Sequence, residues 1–170
     1  FMIIHTKYAC IVFLVILSFN SYSDAGVVAF PGAEGYGAHA VGGRGGKVFK
    51  VTNLNNSGPG SLQAACEAKG PRLVVFEVGG VIRGDVNIRH PFITIAGQTA
   101  PSPGITVVGR LLARPADGSR LHDIIVRFIR LRPPPTRGHT GDAVQLPKTE
   151  RVILDHLSLS WANDETIDIC

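Results

Sequence analysis

The chain has 170 residues, of which 45% are hydrophobic and 18% charged, and its formal net charge is +4. This length suits one domain with a hydrophobic core, and the apolar content excludes an intrinsically disordered chain. The 20 glycines and 11 prolines follow no three-residue period, which excludes collagen. Diffuse positive charge favours a polyanionic partner. Nucleic acid is not the expected partner, because aromatic and basic residues are not interleaved.

The start of the chain, residues 1–25, has the layout of a secretory signal peptide. A weakly basic start containing Lys7 precedes the apolar run Ala9–Phe19, and Ser23 and Ala25 fit the small-residue positions of a cleavage site. The apolar run is too short to span a bilayer, which needs about 20 residues. We therefore expect a mature start near Gly26, a secreted protein and no stable membrane association.

We expect residues 26–170 to be the N-terminal part of a single domain that continues past Cys170. The pattern of alternating polar and apolar residues stops there without a closing segment. An exported chain permits disulfides. Two cysteines make no disulfide framework, so we interpret Cys66 as a buried free thiol and leave the pairing of Cys170 open.

The mature chain opens with glycine-rich segments and one short helix. The glycines between Phe30 and Gly46 lack the patterns of phosphate-binding loops and indicate turns with close backbone packing. A strand is predicted at Lys47–Leu54. A helix is predicted at Ser61–Lys69, with Ser61 as N-cap and Gly70 and Pro71 as its stop.

Short strands separated by Gly, Pro, Asn or Asp fill the rest of the chain. Three segments beginning at Ile93, Ile125 and Ile153 can be superposed at intervals of about 30 residues, the kind of period that a solenoid shows. Hairpin turn signals are scarce, which favours a coil of parallel strands over a sandwich. The helix would cap the open end of this coil. The predicted strands are Leu73–Val78, Val86–Ile88, Phe92–Ile95, Ile105–Val108, Ile124–Leu131, Ala143–Leu146, Val152–Leu159 and Thr166–Ile169.

Carboxylates near the end of the chain are the candidate metal ligands. If Val144 stacks over Ile167, one turn of the coil later, Asp142 comes to lie beside Asp164 and Glu165. Strands of adjacent turns lie about 4.8 Å apart, and carboxylates this close repel unless a cation lies among them. Calcium suits such an oxygen-rich cluster. Zinc does not, because no Cys or His pair has ligand spacing.

Asp155 and His156 follow the apolar run Val152–Leu154. A Ser-His-Asp triad is one interpretation, but neighbours on a strand face opposite ways and no G-x-S-x-G motif is present. We instead expect His156 to be buried and held by hydrogen bonds within the coil.

At these residues the sequence resembles a known enzyme family. Asp142-Ala-Val-Gln-Leu and the segment Val152–Glu165, together with the upstream segments starting at Phe30, Gly58 and Ile95, are similar to the pectate lyases of polysaccharide lyase family 1. The upstream segments resemble the exported bacterial branch of that family.

The resemblance implies a right-handed parallel β-helix and a calcium-dependent lyase that cleaves polygalacturonate (pectin) by β-elimination. It implies Asp142, Asp164 and Asp168 as metal ligands, with Glu165 as an alternative to Asp164. Thr140 stands where the family often has another Asp. The Arg base of the family lies in a later Arg-x-Pro-x-x-Arg segment, so we expect no catalytic base within this chain and an inactive fragment.

Two other functions remain open. A β-helix glycosidase would hydrolyse galacturonan with paired acids and without calcium. A non-catalytic solenoid would only bind the polysaccharide. In each case we expect a monomer with an acidic polysaccharide as partner.

Overall fold

The computed structural model describes residues 26–115, 117–135 and 141–169. The predicted signal peptide, Arg137, Thr140 and Cys170 lie outside these ranges. The elements in chain order are β1 (Lys47–Val51), α1 (Leu62–Glu67), β2 (Arg72–Phe76), β3 (Gly80–Arg83), β4 (Val86–Ile88), β5 (Ile93–Ala96), a short 3-10 helix (Gly97–Thr99), β6 (Ile105–Val108), β7 (Leu111–Ala113), β8 (Leu121–Arg127), β9 (Ile129–Leu131), β10 (Val144–Gln145), β11 (Thr149–Asp155), β12 (Ser158–Leu159) and β13 (Ile167–Asp168).

The strands form three parallel sheets that wind around one core. Sheet A has the order β1-β2-β5-β8-β11, sheet B has β3-β6-β9-β12, and sheet C has β4-β7-β10-β13. Neighbours within a sheet therefore come from successive turns, and every pairing is parallel. This arrangement is a right-handed parallel β-helix, as predicted.

The stacking registers agree with the sequence for two of the predicted pairs and differ by one residue for a third. Val144 pairs with Ile167, which confirms the predicted stacking of these two residues. Ile153 pairs with Ile125 as predicted, but Ile93 pairs with Ile124. The prediction for Ile93 was wrong because β8 has apolar residues on both faces.

Two predicted strands are each broken in two. Phe128 and His156 have positive φ angles of 57° and 52°, and the chain turns a corner there between sheets A and B. Non-glycine residues rarely adopt this conformation. Strands β3, with 4 residues, and β7, with 3 residues, were not predicted.

Helix α1 closes one end of the core. The Ser61 side chain accepts a hydrogen bond of 3.2 Å from the Ala64 amide, which confirms the predicted N-cap. Leu62, Ala65 and Cys66 of α1 are buried in the main core cluster. Cys66 is a free thiol, as predicted, and burial raises its pKa to about 12.

A buried arginine joins α1 to sheet A. The Arg72 guanidinium is fully buried and donates only to main-chain carbonyls among the hydrogen bonds observed. Burial lowers its pKa. The five acceptors are Ala65 (Nε, 2.7 Å), Gly70 and Pro91 (Nη1, 3.1 and 2.9 Å), and Cys66 and His90 (Nη2, 2.9 and 3.1 Å).

The glycine-rich segment covers the outer face of sheet A. A Cβ atom at Gly43 would collide with the Arg72 carbonyl, and one at Gly42 would collide with Thr94. Ile125 and Ile153 on this face pack with Ala40 in a second small cluster. Close backbone packing, as predicted, is therefore the role of these glycines. Among the described residues, no helix is both long and apolar enough to cross a membrane.

Candidate metal site

Three carboxylates meet at the N-terminal edge of sheet C. Asp142 precedes β10, and Asp164 and Glu165 lie in the loop before β13. One carboxylate oxygen from each lies within 4.8 Å of the other two. The Glu165 amide also donates a hydrogen bond of 3.1 Å to Oδ1 of Asp142. Asp142 is 7% exposed, whereas Asp164 and Glu165 are open to solvent.

The proximity of these groups disfavours the ionised form of Glu165. A backbone hydrogen bond favours its carboxylate, but the Asp142 side chain and the Asp164 charge outweigh it and raise the pKa of Glu165. Mutual repulsion of this kind is relieved by a cation. The donor set consists of hard carboxylate oxygens, which suits calcium better than zinc.

The structure brings together two of the three predicted ligands. Asp142 and Asp164 share the cluster with Glu165, which was named as an alternative. Asp168 is not in the cluster: it lies in β13 and pairs with Gln145 of β10. Since Ile167 pairs with Val144 of the core, the alternation of a strand directs Asp168 to the outer face of sheet C.

An ion pair that was not predicted lies in the same sheet. Arg110 donates from Nε and Nη2 to Oδ2 of Asp85 at 3.0 and 2.5 Å, and its amide donates to Oδ1 at 2.9 Å. Burial disfavours the charged Asp85, yet these bonds lower its pKa. The Arg110 guanidinium is also attracted by Asp142. The signal was the spacing of this pair, which equals the spacing of the stacked residues Val86 and Leu111.

Asp155 and His156 lie at a different corner, and the expectation of a buried histidine was wrong. The His156 side chain is 63% exposed, and its Nδ1 lies 2.8 Å from Oδ1 of Asp155. The positive φ of His156 ends the strand, so the two side chains meet instead of facing apart. Asp155 also accepts a bond of 2.6 Å from Nε of Arg127, and His156 stacks on Phe128 at 4.5 Å between ring centroids.

Known proteins share this sequence and fold. Probable pectate lyase C of Aspergillus fumigatus is 48% identical over 157 residues, which are 92% of this chain and 36% of that protein. Probable pectate lyase C of Aspergillus terreus is 47% identical over 149 residues, 87% of this chain and 34% of that protein. Pectate lyase 5 of Ambrosia artemisiifolia is 26% identical over 80% of this chain and 38% of its own length. No family model matches the chain.

A solved structure supports the fold. The crystal structure of jun a 1, the major allergen from cedar pollen, matches 79% of this chain and 44% of that chain with a TM-score of 0.64 and 22% identity. The curated relatives named above come from fungi and a plant, so they lend no support to placement in a bacterial branch. The chain spans about a third of the length of the curated relatives it matches. It is a parallel β-helix that is similar, over nine-tenths of its residues, to proteins named pectate lyases.

Proposed function

We propose that the protein to which this chain belongs is a secreted, monomeric, calcium-dependent pectate lyase that cleaves polygalacturonate by β-elimination. The observation that carries the proposal is the cluster of Asp142, Asp164 and Glu165 at one edge of a parallel β-helix. The sequence similarity to proteins named pectate lyases supports the same reaction.

The residues of this chain contribute ligands in the proposal. Asp142, Asp164 and Glu165 would hold calcium directly. Asp168 is the next candidate ligand and would contact the calcium by way of the bound substrate. Bound calcium would neutralise a uronate carboxylate and make the neighbouring C5 proton more acidic. The Asp142 carboxylate, buried and hydrogen-bonded to the Glu165 amide, would fix the loop that carries the other two ligands.

We propose that the base comes from an arginine that follows residue 170 in the full protein. Arg110 is a poor candidate for that role, because two of its guanidinium nitrogens are already bound to Asp85. A base must reach the C5 proton within about 3 Å. We therefore expect residues 26–170 alone to bind calcium weakly and to cleave nothing.

The products of the full-length protein test this proposal. Elimination leaves a conjugated unsaturated uronate that absorbs in the ultraviolet, whereas hydrolysis gives new reducing ends without that absorbance. We expect absorbance to grow with polygalacturonate and calcium, and to stop when a chelator is added. Reducing ends without absorbance would identify a glycosidase, and neither signal would identify a binding protein. Absorbance from residues 26–170 alone would show that the base lies within this chain.

A further inference from the structure

The outer face of sheet C carries a row of side chains that the core does not use. Val86, Leu111 and Val144 point into the main cluster, so the residues that follow them point outward. Adjacent members of this outward row are about 4.8 Å apart. The row lies next to the carboxylate cluster, because Asp142 shortly precedes β10. Its members, one from each successive strand, are Asn87, Leu112, Gln145 and Asp168; Leu112 is buried and the other three are half-buried.

The two edges of this sheet have opposite charges. The N-terminal edge holds Asp142 and Glu165. At the C-terminal edge, Arg89 follows β4 and Arg114 follows β7. Arg89 donates from Nη1 to the Arg114 carbonyl at 2.8 Å, and Arg114 donates from Nη2 to Oε1 of Gln145 at 2.8 Å. The two guanidinium groups are thus held on the outward row.

The Arg114 guanidinium has no carboxylate bound to it among the described residues. Arg114 is exposed, and its observed side-chain partner is a neutral amide. Its charge helps to lower the pKa of Asp85, but that carboxylate is already bound by two nitrogens of Arg110. An arginine that is fixed in place without a bound counter-charge suits a planar anion, since its fork of N–H donors matches a carboxylate.

We infer that Arg114, supported by Arg89, forms a binding subsite for a second uronate carboxylate of the polysaccharide, separate from the carboxylate held at the acidic cluster. The identity of the ligand rests on the proposed function. A polyuronate laid across sheet C would place one carboxylate at the acidic edge through a cation and another at the basic edge. The subsite would select de-esterified chains, because a methyl ester presents no charge to Arg114.

Direct binding to the full-length protein tests the subsite without depending on cleavage. Affinity electrophoresis measures how strongly a polysaccharide in the gel retards the protein. One gel contains polygalacturonate, and a second contains fully methyl-esterified pectin. We expect Arg114→Gln to weaken retardation by polygalacturonate about tenfold, the loss typical of one charge-assisted bond. Arg114→Lys should weaken retardation less than Arg114→Gln does, because lysine keeps the positive charge but lacks the paired N–H donors of the guanidinium. Arg83→Gln is the matched control, since Arg83 is an exposed arginine of sheet B.

The outcomes separate the subsite from the lyase proposal. Weaker retardation of Arg114→Gln in a protein that forms no unsaturated product would support the subsite and reject the lyase. Unchanged retardation of Arg114→Gln, or equal losses for Arg114→Gln and Arg83→Gln, would overturn the subsite even if the protein is a lyase. In an active lyase, the subsite also predicts a higher KM with unchanged kcat for Arg114→Gln. Circular dichroism that matches the wild type ensures that the variant is folded.

Discussion

The main-chain amide of Glu165 donates a hydrogen bond of 3.1 Å to Oδ1 of Asp142, and so joins two successive turns of the β-helix. Asp142 therefore has two roles that a substitution can separate. Its charge would attract a cation, and its oxygen holds the loop that carries Asp164 and Glu165. Replacement by asparagine removes the charge and keeps the acceptor.

Asp142→Asn in the full-length protein should lower calcium affinity by at least about tenfold, because one of three clustered charges is lost. Calorimetric titration with calcium measures the change. Glu34→Gln, an exposed acid in the glycine-rich segment, is the control and should bind calcium as the wild type does. Equal calcium affinity in Asp142→Asn and the wild type would place the site elsewhere, with Asp168 the next residue to substitute.

Glu165→Gln should make the calcium-free protein more stable at neutral pH. The folded state raises the pKa of Glu165 above its usual value of 4.5, so ionisation opposes folding and stability falls as pH rises through this range. Thermal unfolding in chelator, at pH 4 and pH 7, measures the effect. The Tm of Glu165→Gln should exceed that of the wild type by more at pH 7 than at pH 4, and calcium should raise the Tm of the variant less. A Tm difference between variant and wild type that is equal at both pH values, or larger at pH 4, would contradict the assigned repulsion.

The Asp123 carboxylate should supply stability that is lost in acid. Burial disfavours its charge, but hydrogen bonds from Arg151, the Val41 amide and His122 prevail and lower its pKa to about 2. A carboxyl with a lowered pKa stabilises the fold above its unfolded value of about 3.9 and loses that contribution as pH falls toward 2. The shift corresponds to about 2 kcal/mol.

Asp123→Asn should therefore lower the free energy of unfolding at pH 7 by about 2 kcal/mol. Urea unfolding at pH 7 and at pH 2 measures it, and the difference between variant and wild type should shrink at the lower pH. A constant difference at both pH values would mean that the loss comes from packing and not from ionisation.

Arg72→Met should destabilise the fold by about 3–5 kcal/mol, because five main-chain carbonyls, those of Ala65 and Cys66 in buried bonds, lose the guanidinium as donor. Arg72→Lys should be intermediate, since an ammonium group offers three donors. Urea unfolding monitored by circular dichroism compares the two. Arg44→Met, at an exposed arginine that donates to the Val28 carbonyl, is the control for loss of charge. A loss below about 1 kcal/mol in Arg72→Met would show that the guanidinium hydrogen bonds contribute little to holding α1 on sheet A.

The β-helix could be predicted because the sequence features that indicate its helix, its strand ends and its turn length can be read directly along the chain. Ser61 opens the helix, glycines separate the strands, and the spacing of Val144 and Ile167 equals one turn. The register of β5 on β8 could not be read, since Ile124 enters the core while Ile125 is covered by the glycine-rich segment. Alternation of apolar residues disappears where both faces are buried.

The carboxylate cluster was predicted in part for a similar reason. Asp142 and Asp164 precede strands by short distances, but the path of the loop before β13 decides whether Glu165 or Asp168 joins them. That path depends on the hydrogen bond between Glu165 and Asp142, which are far apart in the sequence. Neither Arg110 nor Arg114 was predicted to be a functional residue. Nothing in the sequence next to them shows that Arg110 is bound to Asp85 whereas Arg114 is bound to the neutral amide of Gln145.

The corner between sheets A and B differs from other connections of the coil in how far its length can vary. Phe128 and His156 both have positive φ angles there, and they occupy the same place in successive turns. The chain from Leu111 to its partner Val144 is longer than the chain from Val144 to its partner Ile167. Differences in length are thus accommodated both where the chain passes from sheet C to sheet A and where it passes from sheet B to sheet C. A protein engineer who wishes to graft a loop onto this scaffold should choose one of these two passages and leave the kinked corner at its present length.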